Sequence, residues 1–199
     1  MEAIAHLSKD RKLKKLVNTY GPLAPTRRRN IYLHLCYSIM SQQLSTRVAA
    51  VLQDRFIKLY GGKSPSAQAI VDTPFETLRG IGLSNAKTLY IQNVARFELE
   101  KGMSHTKLNK MTNEEVIEYL TEIKGVGRWT VEMLLMFSLG REDLFALDDL
   151  GLQNAMIDLY NLDRSDKKKL KGEIERIAQK WAPYRTYACL YLWRWKDGE

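Results

Sequence analysis

Two segments of the chain share a glycine pattern that is suited to binding an anion. LRGIGLSNAKTLYI and LTEIKGVGRWTVEML each contain a leucine, a short gap, Gly-apolar-Gly and the start of a helix. In the second segment, Gly125 and Gly127 allow the backbone to turn tightly and its N–H groups to approach an anion. The N-terminus of the following helix adds the positive end of a dipole. A phosphate is therefore the expected guest, and a tight turn that needs glycine for its geometry alone is the alternative.

Asp149 is the second candidate for chemistry. It lies 20 residues after Trp129, and Gly140 can end the intervening helix and let the chain return towards the hairpin. A carboxylate near the hairpin could take part in a reaction. Aspartate is also a favoured N-cap, and the helical segment LGLQNAMIDLY begins directly after it, so both interpretations stay open on the residues alone. We interpret the neighbouring Asp148 as a surface residue or a support for Asp149.

The elements that must position these residues are predicted to be helices. Apolar residues recur at helical spacing over 31–41 and 46–59. Thr73-Pro74 is typical of an N-cap followed by proline at the first helical position, and Thr112 with Glu115 has the spacing of a capping box. No strand pair joined by an Asn-Gly or Asp-Gly turn is visible. The predicted fold class is all-α, with further helices over 84–100, 165–181 and 184–195.

Charge and cysteine content restrict the function classes. The 199 residues contain 31 Lys and Arg against 23 Asp and Glu, a net charge of +8. This excess favours a polyanionic partner such as nucleic acid, although solubility alone tolerates it. Basic clusters at 9–15, 27–29 and 167–171 are interpreted as solvated faces. No apolar run is long enough for a membrane span, and the N-terminus lacks a secretion signal core. Cys36 and Cys189 are predicted to be buried free thiols.

Four motifs together resemble one protein family. KGVGRWT followed by LDD is similar to the helix-hairpin-helix plus Gly/Pro-Asp (HhH-GPD) signature of the DNA glycosylase superfamily. SIMSQQLSTRVA, LRGIGLSNAKTLYIQNVA and WAPYRTYACLYLW resemble segments of its alkylation-repair branch, in one order over about residues 31–195. The most similar group is the 3-methyladenine DNA glycosylase II type, in a minimal form without the extra N-terminal β domain. The resemblance implies two helical lobes with an active-site cleft between them. We expect 30–142 to form the lobe with the hairpin, and 1–29 plus 143–199 to form the other.

The resemblance also implies an activity. Such enzymes flip a damaged base out of the duplex and hydrolyse its N-glycosidic bond, which leaves an abasic site. Asp149 falls on the family's catalytic aspartate, which either stabilises the positive charge on the sugar or takes a proton from the attacking water. Trp129 stands where bifunctional branches carry a lysine nucleophile, so we expect a monofunctional glycosylase for alkylated purines of the 3-methyladenine and 7-methylguanine type, without AP lyase activity.

Further roles follow from the same match. Gln43 and Leu44 in SQQLS correspond to the wedge that fills the gap left by the flipped base. The tail has only Cys189 where some relatives carry four cysteines, so an iron–sulfur cluster is excluded, and no catalytic metal is expected. The remaining roles are a base pocket of Trp129, Trp193, Tyr187 and Met133, a DNA-binding hairpin of Lys124, Gly125, Val126, Gly127, Arg128 and Thr130, and a monovalent cation, Na⁺ or K⁺, on the backbone carbonyls of Thr121, Ile123 and Val126.

The expected partner is double-stranded DNA that contains damaged bases, bound by a monomer that is neither secreted nor in a membrane. The compartment would be the cytoplasm and nucleoid of a prokaryote or the nucleus of a eukaryote. Two alternatives remain. One is a glycosylase of this family for a deaminated or oxidised base. The other is a non-enzymatic helix-hairpin-helix DNA-binding module, which would have no use for Asp149, Trp129 and Trp193 together.

Overall fold

The computed structural model describes residues 2–25 and 30–198, and every regular element within those ranges is a helix. The all-α prediction is therefore confirmed. The predicted basic cluster at 27–29 lies outside the described residues. The helices are α1 (Glu2–Leu7), α2 (Arg11–Tyr20), α3 (Ile31–Ser41), α4 (Thr46–Leu59), α5 (Ala67–Asp72), α6 (Phe75–Gly80), α7 (Asn85–Glu100), α8 (His105–Leu108), α9 (Asn113–Thr121), α10 (Arg128–Phe137), α11 (Leu150–Tyr160), α12 (Lys167–Ala178) and α13 (Arg185–Asp197), with a 3₁₀ turn at Gln179–Trp181.

The chain divides into two compact units. The central unit is Arg28–Leu134, and the terminal unit combines Met1–Arg27 with Leu135–Glu199. Helix α10 begins in the central unit, and its last residues belong to the terminal unit. The units group residues by packing, and residues 135–142 fall in the terminal unit rather than with the hairpin. The domain boundaries expected from the resemblance stay a prediction.

The central unit is built around α7, which packs against α3 and α5, with α4 on α3. Its inward face is fully buried at Ile91, Val94 and Ala95, and such apolar burial is the main stabilising contribution to the fold. The capping box predicted for α9 is present, because Thr112 and Glu115 each bond the other's backbone N–H.

The N-cap predicted at Thr73 is wrong. Helix α5 ends immediately before Thr73, whose hydroxyl donates back to the carbonyl of Ala69 at 2.7 Å. Pro74 takes the N-cap position of α6 without a side-chain bond. A hydroxyl that follows a helix by one residue is within reach of the carbonyl four residues earlier, and that bond competes with capping.

The terminal unit centres on α13, which packs against α11 and α2. Asp10 caps α2 through the N–H groups of Lys12 and Leu13. The second oxygen of Asp10 accepts from the Tyr160 hydroxyl at 2.8 Å and from the indole of the fully buried Trp181 at 3.3 Å. These bonds satisfy the polar atoms of the buried Trp181 ring and of the half-buried Tyr160 ring.

The prediction on the two cysteines is confirmed. Cys36 and Cys189 are buried and free, as predicted. Within residues 2–25 and 30–198, no helix has the length and apolar character needed to cross a bilayer.

Candidate active site and nucleic-acid interface

Asp149 is held at the start of α11 by two donors. Its Oδ1 accepts from the backbone N–H of Leu152 at 2.8 Å and from the indole Nε1–H of Trp193 at 3.0 Å. The N-cap interpretation is therefore confirmed, and it is compatible with a chemical role. Two N–H donors on one oxygen fix the rotamer of the carboxylate, so its position does not depend on a bound substrate.

Trp193 lies in α13, 44 residues after Asp149 in the sequence, and its indole bonds to the Asp149 carboxylate. Its half-buried ring lies tilted against Phe137, with 6.0 Å between the ring centroids. The structure thus brings together two residues that the resemblance assigned to the active site. The indole N–H donates to Asp149, and contact of the Trp193 ring with a base stays a prediction.

Gly151 belongs to the same cluster, although no motif in the sequence identifies it. A Cβ at this position would lie 3.1 Å from Asp149 Oδ1 and 3.5 Å from Trp193 Cδ1. The Asp149 carboxylate and the Trp193 indole therefore both lie close to the Gly151 backbone, where a side chain would crowd them. Glycine in the first turn of a helix is unfavourable by itself, and that was the available signal.

Neighbouring residues fix the loop before α11. Gln153 donates its side-chain amide to the carbonyl of Leu147 at 2.8 Å, and the N–H of Asp149 donates to Ala146 at 3.0 Å. Asp148 is exposed and forms an ion pair with Lys171. Its interpretation as a surface residue is therefore confirmed.

The predicted hairpin lies between the end of α9 and the start of α10. Gly125 has φ +105°, and a Cβ there would lie 2.1 Å from the Tyr90 ring of α7. Glycine is required at this position both by the backbone conformation and by the close approach of the ring. A Cβ at Gly127 would meet no described atom within 4 Å, and this position is exposed. The first glycine thus serves packing, and the second leaves a solvent-facing surface open.

The other predicted hairpin residues differ in exposure. Lys124 is exposed, and its carbonyl accepts from the Asn93 side chain at 3.2 Å. Val126 and Thr130 are buried, so their side chains pack within the protein, and their contact with DNA stays a prediction. Asn93 and Tyr90 support the hairpin from α7, and the sequence alone predicted no role for either residue.

Arg128 is bonded to two carboxylates. Its guanidinium forms a bidentate pair with Glu114, at 3.0 and 2.5 Å, and Nε donates to Glu132 at 3.1 Å. The bonds to Glu114 raise the pKa of Arg128, and Arg128 lowers the pKa of Glu114. This pairing joins the first turn of α9 to the first turn of α10. A phosphate contact by Arg128 stays a prediction, and in this structure its charge is balanced within the hairpin.

Trp129 and Met133 lie one turn apart on α10, on the same face of the helix. The Trp129 side chain is 43% exposed, whereas Met133 is buried beneath that face at 9% exposure. Both belong to the central unit, and Asp149 and Trp193 belong to the terminal unit. Their roles in a base pocket stay predictions.

Tyr187 contacts Glu142 and Tyr184 of the terminal unit. Its hydroxyl donates to Glu142 at 2.8 Å, and its ring packs edge-on against Tyr184 with 6.0 Å between centroids. Tyr184 and Tyr187 line a cavity with N-terminal residues that include Glu2 and Pro22. The expectation that Tyr187 belongs to the base pocket stays a prediction.

The wedge candidates Gln43 and Leu44 lie in the short loop between α3 and α4. Both are exposed, and Gln43 adopts φ +57°.

The predicted cation site is made of backbone carbonyls. The carbonyl of Ile123 accepts the N–H of Val126 at 2.9 Å, and its second lone pair is the one that a cation would use. Within the part of the chain that the structure describes, no group of three His, Cys, Asp or Glu residues is arranged for a metal ion.

Comparison with known proteins gives the family. A model described as HhH-GPD superfamily base excision DNA repair protein matches residues 36–183. The chain belongs to this family. It is 37% identical over 187 residues to DNA-3-methyladenine glycosylase 1 of Schizosaccharomyces pombe. The matched region covers 92% of this chain and 80% of that protein. A putative DNA-3-methyladenine glycosylase of Bacillus subtilis, YfjP, is 34% identical over 83% of this chain and 58% of its own length.

Solved structures agree with this membership. The structure of Schizosaccharomyces pombe 3-methyladenine DNA glycosylase (Mag1) in complex with abasic DNA matches with a TM-score of 0.86 and 34% identity, over 99% of this chain and 97% of that one. The resemblance of this chain to the HhH-GPD glycosylases is therefore confirmed.

Proposed function

We propose that this HhH-GPD protein is a DNA glycosylase of base excision repair that releases alkylated purines of the 3-methyladenine and 7-methylguanine type. The observation that supports this most directly is the Asp149 carboxylate, fixed by the Leu152 N–H and the Trp193 indole. The names of its relatives, at 34–37% identity, support the same substrate class.

The chemistry follows from what a fixed carboxylate can do. Cleavage of the bond between C1′ and the base leaves positive charge on the sugar, and a preoriented carboxylate stabilises that charge better than water does. Water then adds its oxygen to C1′ and loses a proton, which Asp149 is able to accept. An alkylated purine already carries positive charge and leaves as a neutral base, so no strong general acid is needed.

Absence of lyase activity belongs to the proposal. A lyase forms a Schiff base between an amine and C1′, and the residue in the corresponding position is Trp129. An indole has no amine nucleophile. The expected product is an abasic strand that remains intact until it is treated with alkali.

Binding to DNA is assigned to the hairpin and the net charge of +8. The exposed backbone at Gly127, with the N-terminus of α10 behind it, suits a phosphate. A monovalent cation on the carbonyls of Thr121, Ile123 and Val126 would add a positive charge there. The partner is damaged double-stranded DNA, bound by a monomer in the nucleoid or the nucleus.

The proposal is tested by incubating the protein with methylated DNA and separating the released bases by chromatography. Release of 3-methyladenine and 7-methylguanine, with little hypoxanthine or 8-oxoguanine from matched substrates, is expected. Release of only a deaminated or oxidised base would show that the substrates are not alkylated purines but bases of that other class. Tight binding with no release from any substrate would indicate a DNA-binding module.

A second assay separates the two reaction types. Borohydride added during turnover traps a Schiff base as a covalent protein–DNA adduct. No adduct is expected from the wild-type protein, and a trapped adduct would contradict the monofunctional assignment.

A further inference from the structure

Lys87 occupies a position that its own helix does not favour. It lies in the first turn of α7, where the dipole of the helix disfavours a positive charge. Its ammonium group instead donates to the carbonyls of Met40 at 2.9 Å and Gln42 at 2.7 Å. These carbonyls lie at the C-terminal end of α3, where helical carbonyls lack partners within the helix and a cation is favourable.

The residues that Lys87 fixes lead directly into the exposed loop between α3 and α4. Burial lowers the pKa of Lys87, which is consistent with two carbonyls replacing part of the water around its ammonium group. Beside this contact, the side-chain amide of Gln53 donates to the Ser41 hydroxyl at 3.1 Å. The end of α3 is thus held from two directions, by α7 and by α4.

The loop itself has an unusual conformation. Gln43 adopts φ +57°, a region that residues with a Cβ seldom occupy. Such conformations persist where the surrounding contacts determine them. The N–H of Leu44 donates to Ser41 at 3.2 Å, and Ser45 caps α4. The side chain of Leu44 is left 38% exposed.

We propose that Lys87 is a positioning residue for base flipping, because it fixes the end of α3 and thereby holds Gln43 and Leu44 ready to enter the duplex. This inference rests on the proposed function, since a wedge is needed only if the protein extracts a base. A loop that is already ordered loses less conformational entropy when it inserts. Lys87 itself contacts backbone carbonyls and takes no part in bond cleavage.

The test measures insertion without any chemistry. The DNA is a duplex with a tetrahydrofuran abasic analogue, which has no base to release, and 2-aminopurine beside the gap, which brightens when it is unstacked. Wild type is compared with Lys87→Met, which keeps the length of the side chain and removes its donors, and with Lys87→Arg, which keeps charge and donors.

A matched control is available in the same unit. The ammonium of Lys107 donates to the carbonyl of Lys101 and to the Tyr119 hydroxyl, both at 2.6 Å. Lys107→Met therefore removes similar contacts away from the loop. Leu44→Ala provides the reference for loss of the wedge, and thermal unfolding is followed for every variant.

For Lys87→Met, the protein concentration needed for half of the fluorescence response is expected to rise roughly tenfold, because the charge-assisted hydrogen bonds to Met40 and Gln42 are lost. Lys107→Met should leave the response unchanged, and Lys87→Arg should restore most of it. Adding Lys87→Met to Leu44→Ala should have little further effect, because both act through the same loop. If Lys87→Met does not fold, Lys87→Leu, which also lacks donors, is measured instead under the same expectations.

Three results would overturn the proposal: equal loss in the Lys107 and Lys87 variants, additive effects of Lys87→Met and Leu44→Ala, or a wild-type protein that releases methylated bases without unstacking 2-aminopurine. The last result would leave the proposed function intact. Conversely, a response that depends on Lys87 in a protein that releases no base would support the positioning role and contradict the proposed function.

Discussion

The carboxylate of Asp149 is oriented before any DNA binds, because two N–H groups donate to the same oxygen. Preorganisation of this kind is the main way in which a charged group lowers a barrier, since no reorganisation is needed during the reaction. The arrangement depends on the bare backbone at Gly151, over which Asp149 and Trp193 meet.

Gly151→Ala tests this dependence. The added methyl lies 3.1 Å from Asp149 Oδ1, so the carboxylate must shift by a few tenths of an ångström, and turnover should fall by about tenfold. Gly172→Ala in α12 is the control, because a Cβ there meets no described atom within 4 Å. The control should gain about 0.5–1 kcal/mol in unfolding free energy with unchanged turnover. Equal turnover in both variants would show that Gly151 is not critical.

At the scale of single residues, the sequence predicted some members of the site and failed to predict others. Asp149 was identifiable from its motif, and its role as an N-cap from residue type alone. Gly151 and Tyr90 were not identified, because their importance lies in contacts with Trp193 and Gly125, which are distant in the chain. Arg128 was expected to face phosphate, and its pairing with Glu114 could not be predicted without knowing that α9 and α10 begin side by side.

At the scale of elements, the hairpin between α9 and α10 assigns different tasks to its two glycines. Gly125 allows a positive φ and the Tyr90 contact, whereas Gly127 leaves the surface open. Capping signals predicted the start of α9 correctly because the capping box is a local interaction. The start of α6 was assigned wrongly, because the helix that precedes it takes the Thr73 hydroxyl.

Replacing Gly125 or Gly127 by alanine should separate the effect on stability from the effect on DNA binding. Gly125→Ala should lower the unfolding free energy by about 1–3 kcal/mol, as expected for overpacking against the Tyr90 ring. Gly127→Ala should fold normally and bind damaged and undamaged duplex about tenfold more weakly, because its methyl stands where a phosphate would approach. Urea unfolding and binding titrations measure both. If Gly127→Ala weakened binding only to damaged DNA, the hairpin would belong to the base pocket.

For the whole molecule, the net charge of +8 and the HhH-GPD membership support binding to DNA, and the contacts that we propose are to phosphates. Both could be predicted from the sequence, because charge is additive and the family motifs are contiguous. The affinity should therefore fall linearly, on logarithmic scales, as salt rises.

Lys124→Gln should reduce the magnitude of that salt slope by about one, equally for damaged and undamaged duplex, because it removes one exposed phosphate contact. Arg164→Gln is the control with the same change in net charge. Its guanidinium is paired with Asp158 at 2.7 Å, so the slope should stay near that of the wild type. A slope that falls equally in both variants would indicate that total charge, rather than the hairpin, controls binding.

The most direct test of the central claim is base release from methylated DNA by Asp149→Asn, measured in single turnover beside Asp148→Asn. Asparagine keeps the shape and the oxygen that caps α11, and it is itself a good N-cap, so folding and lesion binding should persist. Loss of the charge should slow release by roughly 100-fold or more, while Asp148→Asn, which removes only the exposed pair with Lys171, should act like the wild type. Near-normal release by Asp149→Asn, or an equal loss in Asp148→Asn, would contradict the assignment of Asp149 as the catalytic carboxylate.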